Sequence, residues 1–226
     1  MNFIKKRSQS LFMVVLVLFS ILVLQGSISY SMTFGRLDLF IPGMRHGILP
    51  TAWLGLRVAL LVCVVILWLL NRKEWLFRTI IFINGLFTLG LLMNLAALAD
   101  VLLGVSSQEI KPLLIGVLFM AVSNILIFSI WYWIIDPPGV EENPREDAPW
   151  DFLFPQRASP IPHYEDWMPR YTDYLYIAFT TSFAFSPTDT LPLTRRAKML
   201  MLLQSTVSLV TLTGIVGGAI NILMSG

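Results

Sequence analysis

The sequence has few charged residues for its length. Asp, Glu, Lys and Arg make up 13% of its 226 residues, and the mean hydropathy is +0.72. Soluble domains are about a quarter charged, and a soluble fold of this size lacks the polar surface to cover so many apolar side chains. The composition therefore predicts a protein whose main partner is the lipid bilayer. The net charge is only +2 and the basic residues are scattered, which argues against nucleic acid as a partner.

Cysteine and histidine are also scarce. Cys63 is the single cysteine, which excludes an internal disulfide and a thiolate metal cluster. The two histidines, His46 and His163, stand far apart in predicted loops, so neither a histidine-based triad nor a two-histidine metal site within one helix is present. No catalytic or cofactor motif occurs. We therefore expect a protein that is not an enzyme and that uses no cofactor and no metal.

Long hydrophobic stretches, in contrast, are abundant. A helix needs about 20 apolar residues to cross the hydrocarbon of a membrane. Five stretches are long or apolar enough to qualify, at 11–29, 51–70, 76–105, 112–135 and 199–224. A sixth, 174–185, is too short to cross unaided, and Ser186 and Pro187 close it. The sequence predicts an all-α polytopic, multi-pass transmembrane bundle of about five spans plus one short re-entrant or interfacial helix.

The first hydrophobic stretch allows two interpretations. It follows Lys5, Lys6 and Arg7, and such a basic flank precedes both signal peptides and membrane anchors. Ser27 and Ser29 are small residues that could precede a cleavage site. The surrounding residues 25–30 make a poor cleavage region, which favours an anchor that is retained.

Composition divides the chain into three regions. Residues 1–136 form a four-helix transmembrane region, and residues 171–226 hold the short helix, a loop and the final transmembrane helix. Between them, residues 137–170 are rich in Pro, Asp and Glu but also carry Trp150 and Trp167. Because Trp is enriched where the membrane meets water, we expect these aromatic residues at the level of the lipid headgroups.

The last hydrophobic stretch carries a polar stripe. The stripe consists of Gln204, Ser208, Thr211, Gly214, Gly218 and Asn221. Spacing of three and four places these residues on one face of a helix. The stripe is either a helix-packing seam, in which small and polar residues bond to neighbouring helices, or the lining of a pore or cavity. Asn84 and Thr88 in the third stretch and Asn124 in the fourth are candidate partners for such a seam.

Arg57 is a charged residue within the second hydrophobic stretch. A charge at bilayer depth is costly, and a long side chain near a helix end can extend to the interface. We expect Arg57 to extend in this way rather than to serve as a functional charge.

The last two-fifths of the chain resemble an uncharacterised family of bacterial multi-span membrane proteins. The matching strings are W-Y-W at 131–133, D-F-L-F-P-Q at 151–156, D-Y-L-Y-I-A-F-T at 173–180 and F-S-P-T-D-T-L-P-L-T-R-R-A-K-M-L-M-L-L-Q-S at 185–205. These strings are specific. The resemblance implies a multi-span membrane protein and carries no mechanism.

The same part of the chain also distantly resembles the pore loop and inner helix of potassium channels. Phe179, Thr180 and Thr181 match the end of a pore helix, and Asp189 matches the acidic residue after the filter. Pro192 and Thr194 match the start of the inner helix. The resemblance implies a short helix, a loop and a long helix arranged as a pore-loop unit.

The chain departs from that pattern at the residues that correspond to the selectivity filter. A potassium filter needs T-V-G-Y-G, whose glycines let the backbone point successive carbonyls at the ion. Residues 184–188 read A-F-S-P-T, and Pro187 also restricts Ser186. The resemblance therefore implies a channel-like protein that is not selective for potassium.

The leading functional prediction is thus a pore-loop ion-channel-like protein that conducts small ions. A single pore-loop unit needs copies around an axis, so we expect a homo-oligomer. The predicted pore or polar site consists of Thr180, Thr181, Ser186, Thr188, Asp189, Gln204, Ser208 and Thr211.

Two alternatives compete with that prediction. The first is a structural or assembly membrane protein, in which the polar stripe binds another membrane subunit and nothing is conducted. The second concerns the loop alone: Ser186, Thr188 and Asp189 cap the final helix, or Thr194 serves as a nearer N-cap that puts Arg195 in the first turn.

Overall fold

A computed structural model describes residues 2–31, 48–70, 73–104, 110–136, 150–158, 162, 167–184 and 189–225. This part of the chain is almost entirely helical. Its helices are α1 (Asn2–Ser31), α2 (Ile48–Leu69), α3 (Lys73–Gly104), α4 (Ile110–Ile135), α5 (Pro155–Ala158), α6 (Tyr171–Ala184) and α7 (Arg195–Ser225). Two short strands, β1 (Phe152–Leu153) and β2 (Leu191–Pro192), pair in antiparallel orientation.

The all-helical prediction is confirmed, and each predicted hydrophobic stretch overlaps one helix. The short piece predicted at 174–185 is α6, and the last stretch predicted at 199–224 is α7. The final helix begins at Arg195, four residues before the apolar run, because Thr194 caps it. The Thr194 hydroxyl oxygen accepts the Ala197 backbone N–H at 3.3 Å, as predicted for an N-cap.

The described helices include two that are long and apolar enough to cross a membrane, Trp75–Ala96 and Ile115–Ile135. Two shorter apolar helical segments, Phe12–Gly26 and Gly55–Leu69, fall below that length. The sequence predicts about five spans, and two helices meet this criterion of length and composition within the described residues.

The chain divides into two compact units. The first comprises Met1–Val14 and Ile125–Thr206, and the second comprises Val15–Asn124 and Val207–Gly226. The first unit therefore holds β1, β2 and α6 together with the start of α7. The three predicted regions were defined by composition, whereas these two units are defined by packing. The three regions therefore stay a prediction.

In the second unit, α2 packs against α3. Leu98, Val117 and Met120 form an apolar core between α3 and α4. Gly214 of α7 lies close to this core, because a Cβ at that position would stand 3.0 Å from Leu98 Cδ2.

Arg57 of α2 does not extend to an interface, and that expectation is wrong. Its side chain is 3% exposed, and its guanidinium lies 5.6 Å from the centre of the Phe87 ring. Gln25 of α1 reaches the same place and donates from Nε2 to the Phe87 carbonyl oxygen at 2.7 Å. The absence of a side chain at Gly90 gives both residues room: a Cβ there would stand 2.7 Å from Arg57 Nη2. The position of Arg57 near the end of the hydrophobic stretch does not show whether its side chain faces the interface or the protein interior.

Candidate functional site

Gln204 is the best-connected residue of the predicted site. It is fully buried on α7, and its side-chain amide uses its oxygen and both N–H groups. Nε2 donates to the Ala178 carbonyl oxygen at 2.7 Å and to Ser182 Oγ at 2.8 Å, both on α6. Oε1 accepts the Tyr132 hydroxyl proton from α4. Gln204 thereby ties three helices together by hydrogen bonds.

Ser208 and Thr211 continue the polar stripe on α7 within the second unit. Asn124 Nδ2 donates to Ser208 Oγ at 2.7 Å, and both residues are buried. The predicted pairing of Asn124 with the stripe is therefore confirmed. Thr211 is also buried, and its hydroxyl donates to the Val207 carbonyl one turn back at 2.7 Å. Its hydrogen bond is local to the helix.

The threonines of α6 differ in position. Thr180 is partly exposed, and its hydroxyl donates to the Tyr176 and Ile177 carbonyl oxygens of its own helix at 3.0 and 3.1 Å. Thr181 is buried. Asp189 is exposed in the turn before β2. Ser186 and Thr188 lie outside the described residues, so the predicted mouth of the site is seen only in part.

A second polar centre, which the sequence analysis did not single out, forms around Asp136. This residue follows the last turn of α4 and is fully buried. Its Oδ1 accepts the backbone N–H groups of Asp151 and Phe152 at 3.0 and 3.2 Å. Its Oδ2 accepts Arg157 Nη1 at 3.1 Å and the Tyr174 hydroxyl at 2.6 Å. The carboxylate therefore joins the end of α4 to the 150–158 segment and to α6.

The electrostatics of Asp136 reflect this burial. Burial raises the pKa of its carboxyl, and the Arg157 charge, the Tyr174 hydroxyl and the two backbone N–H groups act in the opposite direction. A buried carboxylate is costly unless it is paired and hydrogen-bonded. The four donors supply that compensation, so this centre is built to hold the segment in place.

Aromatic rings enclose the Arg157 side of this centre. The guanidinium lies 4.6 Å from the centre of the Trp150 ring and 5.5 Å from that of Phe154. Phe154 in turn contacts Trp167 at 5.3 Å and Tyr174 at 5.7 Å between ring centres. The aromatic residues of the predicted interfacial region thus fold into a compact cluster, with Phe154 buried and Trp150 partly exposed.

Asp151 forms a second ion pair, in which the carboxylate is buried and Arg196 is exposed. Arg196 approaches it as a fork, with Nε donating to Oδ1 at 2.7 Å and Nη2 donating to Oδ2. The Thr194 hydroxyl also donates to Oδ1. The Asp151 carbonyl oxygen accepts the Leu193 N–H at 2.9 Å, next to the β1–β2 pair. Planar two-point pairing fixes geometry as well as charge, so it fixes the start of α7 against the 150–158 segment.

These contacts give a structural meaning to the strings that carry the family resemblance. Asp151 opens the D-F-L-F-P-Q string, and Thr194 and Arg196 lie in the L-T-R-R string. Tyr132 is the centre of W-Y-W and contacts both Gln204 and the Phe152 ring, which lies 5.2 Å away. The only sequence signal for these contacts was that charged residues stood inside otherwise apolar motifs.

The buried carboxylates of this site have protein partners. Both oxygens of each buried carboxylate accept bonds from protein donors. Within the described ranges, no group of three or more His, Cys, Asp or Glu residues is placed to hold a metal ion. The polar residues of this site join helices through hydrogen bonds.

A comparison of the chain with protein-family models finds no match, and comparisons with the curated proteins and with the solved structures find none either.

Proposed function

We propose that this protein is a non-enzymatic, multi-span protein of the bacterial inner membrane with a structural or assembly role. In this proposal the polar stripe of α7 is an internal helix-packing seam. The observation that carries the proposal is the saturation of Gln204, whose amide bonds to Tyr132, Ala178 and Ser182 of the same chain.

The energetics of a polar group in an apolar surrounding favour this role. A buried amide without hydrogen-bond partners costs about 2–7 kcal/mol, whereas a satisfied one rigidifies the helices that it joins. Gln204 is satisfied by groups on two other helices, and Ser208 is satisfied by Asn124. A residue that lined an aqueous path would instead take partners from water. The stripe therefore supports packing within the chain.

Helix lengths and exposed side chains support several spans. Besides the two candidate spans in α3 and α4, the helices α1, α2 and α7 have 30, 22 and 31 residues. At about 1.5 Å per residue, the shortest of these is about as long as the hydrocarbon layer is thick. Each also carries large exposed apolar side chains, including Phe19 on α1, Ile66 on α2 and Leu209 on α7. We propose that all five long helices cross the membrane.

Conduction by a pore-loop unit is the second candidate function. The order of elements favours it, because the short helix α6 is followed by a loop and then by the long helix α7. In this case Asp189, which is exposed, would attract cations at the mouth of a homo-oligomer. The path would not select potassium, since residues 184–188 lack both filter glycines.

Flux measurements on the purified full-length chain in liposomes distinguish the two functions. The packing proposal predicts that a panel of monovalent and divalent ions and small neutral solutes leaks no faster than through protein-free liposomes. Circular dichroism of the same liposomes confirms that the chain is folded. A selective or saturable flux that requires the folded protein would overturn the packing proposal and support conduction.

A further inference from the structure

The start of α7 presents an exposed cationic surface. Arg195 and Lys198 are both exposed, and neither has an ion-pair partner in the part of the chain that the structure describes. Arg196 forms an ion pair with Asp151. The first turn of α7 contains no acidic residue, and none occurs anywhere in Arg195–Ser225. Cations at a helix N-terminus are disfavoured by the helix dipole, so this end of α7 gains from a bound anion.

The same helix face becomes apolar within two turns. Met199 and Leu202 are 64% and 61% exposed, and they follow Arg195 at spacings of four and seven residues. Residues three and four apart share one side of a helix, so Arg195, Lys198, Met199 and Leu202 form one continuous strip. Along this strip the exposed surface changes from charged to hydrocarbon, which is the profile of a lipid from its headgroup to its acyl chains.

The strand before α7 adds apolar side chains at the charged end. Leu191 and Leu193 are exposed, although the chain there is well anchored. The Leu193 N–H bonds to the Asp151 carbonyl, and Leu191 pairs with Leu153 of β1. The Asp151–Arg196 ion pair described above holds this segment in place, so its leucines are presented by a rigid support.

We propose that the surface formed by Arg195, Lys198, Met199 and Leu202 binds anionic phospholipids of the bilayer. Arg195 and Lys198 contact the phosphate of the headgroup, while Met199 and Leu202 lie along the acyl chain. Charge complementarity favours an anionic lipid over a zwitterionic one, since Asp189 is the only acidic residue in the described range 189–225. This inference rests on the proposed membrane location and names the lipid class that the surface selects.

Lipid titrations monitored by native mass spectrometry of the purified full-length chain test the proposal. The wild type should bind phosphatidylglycerol more tightly than phosphatidylcholine. In the double variant Arg195→Gln/Lys198→Gln, phosphatidylglycerol affinity should fall about fivefold for each lost cation, with phosphatidylcholine affinity unchanged. Arg195→Lys should retain the preference because it retains the charge. Arg78→Gln, which removes an exposed cation from α3, should also retain it.

Equal affinity of the wild type for the two lipids would overturn the proposal. So would an unchanged phosphatidylglycerol preference in the double variant, with circular dichroism showing that each variant is folded. The outcome is independent of the flux measurement above. A chain that conducts ions and still prefers phosphatidylglycerol would overturn only the packing role, whereas a silent chain without lipid preference would overturn only this inference.

Discussion

Among the described residues of the polar stripe, a single glutamine makes the most hydrogen bonds to other helices. Gln204 joins α7 to α6 through Ala178 and Ser182, and to α4 through Tyr132. The sequence placed Gln204 on the polar face of its helix correctly, because spacing of three and four is enough for that. The partners of Gln204 could not be predicted from the sequence. Two of them are a backbone carbonyl and a hydroxyl within α6, and no sequence pattern identifies either group as a partner.

Replacement of Gln204 by Leu should destabilise the protein by about 2–4 kcal/mol. The change deletes the hydrogen bonds and leaves the Tyr132 hydroxyl buried without its acceptor. Thermal unfolding in a mild detergent measures the loss. Thr206→Val is a matched control on the same helix, because the Thr206 hydroxyl is exposed and bonds only to its own backbone at Leu202. Equal unfolding temperatures for the two variants would show that Gln204 is not a tie between helices.

At the scale of elements, residues 150–158 pack against the start of α7. Composition predicted that its aromatic residues lie at the membrane interface, and the structure adds what composition does not encode. Asp136 and Asp151 lie 15 residues apart in sequence, and each ion-pairs with an arginine from another part of the chain. Opposite charges occur at many positions in this sequence, so their pairing depends on the tertiary fold.

The Asp151–Arg196 pair should show coupling in a double-mutant cycle of Asp151→Asn and Arg196→Gln. We expect a coupling free energy of about 1 kcal/mol, a modest value because the Arg196 side chain is 57% exposed and partly screened by solvent. Arg195→Gln in place of Arg196→Gln serves as the control, since Arg195 lies in the same turn and does not contact Asp151. Additive losses in the Asp151–Arg196 cycle would mean that the pair does not hold β1 to α7.

Two glycine substitutions in α3 test its close contact with α1 and α2. Gly85 has nothing within 4 Å of the place that a Cβ would occupy, so Gly85→Ala should raise helix stability by about 0.5–1 kcal/mol. Gly90→Ala on the same helix should instead destabilise, because its Cβ would meet Arg57 and Gln25. The difference in unfolding temperature between the two alanine variants measures the cost of that contact. A Gly90→Ala variant as stable as Gly85→Ala would contradict this packing of α1 and α2 on α3.

For the whole molecule, hydrophobic runs predicted where the helices lie. The number of spans stays a prediction, because the length of an apolar run shows that a helix can cross a membrane and not that it does. The functional prediction depended on which way the stripe faces. Sequence spacing gives a common face but not the surroundings of that face, and those surroundings separate a packing seam from a pore.

The accessibility of the polar stripe to water in the membrane distinguishes a packing seam from a pore. Cys63 is the single cysteine, so Cys63→Ser provides a background for Ser208→Cys and, as an exposed control, Asp189→Cys. Membranes that hold each variant are treated with a membrane-impermeant thiol reagent, after freeze–thaw to open both faces. We predict that Asp189→Cys is modified at once and that Ser208→Cys is modified only after denaturation. Rapid modification of Ser208→Cys in the folded protein would contradict the packing seam and place the stripe on an aqueous path.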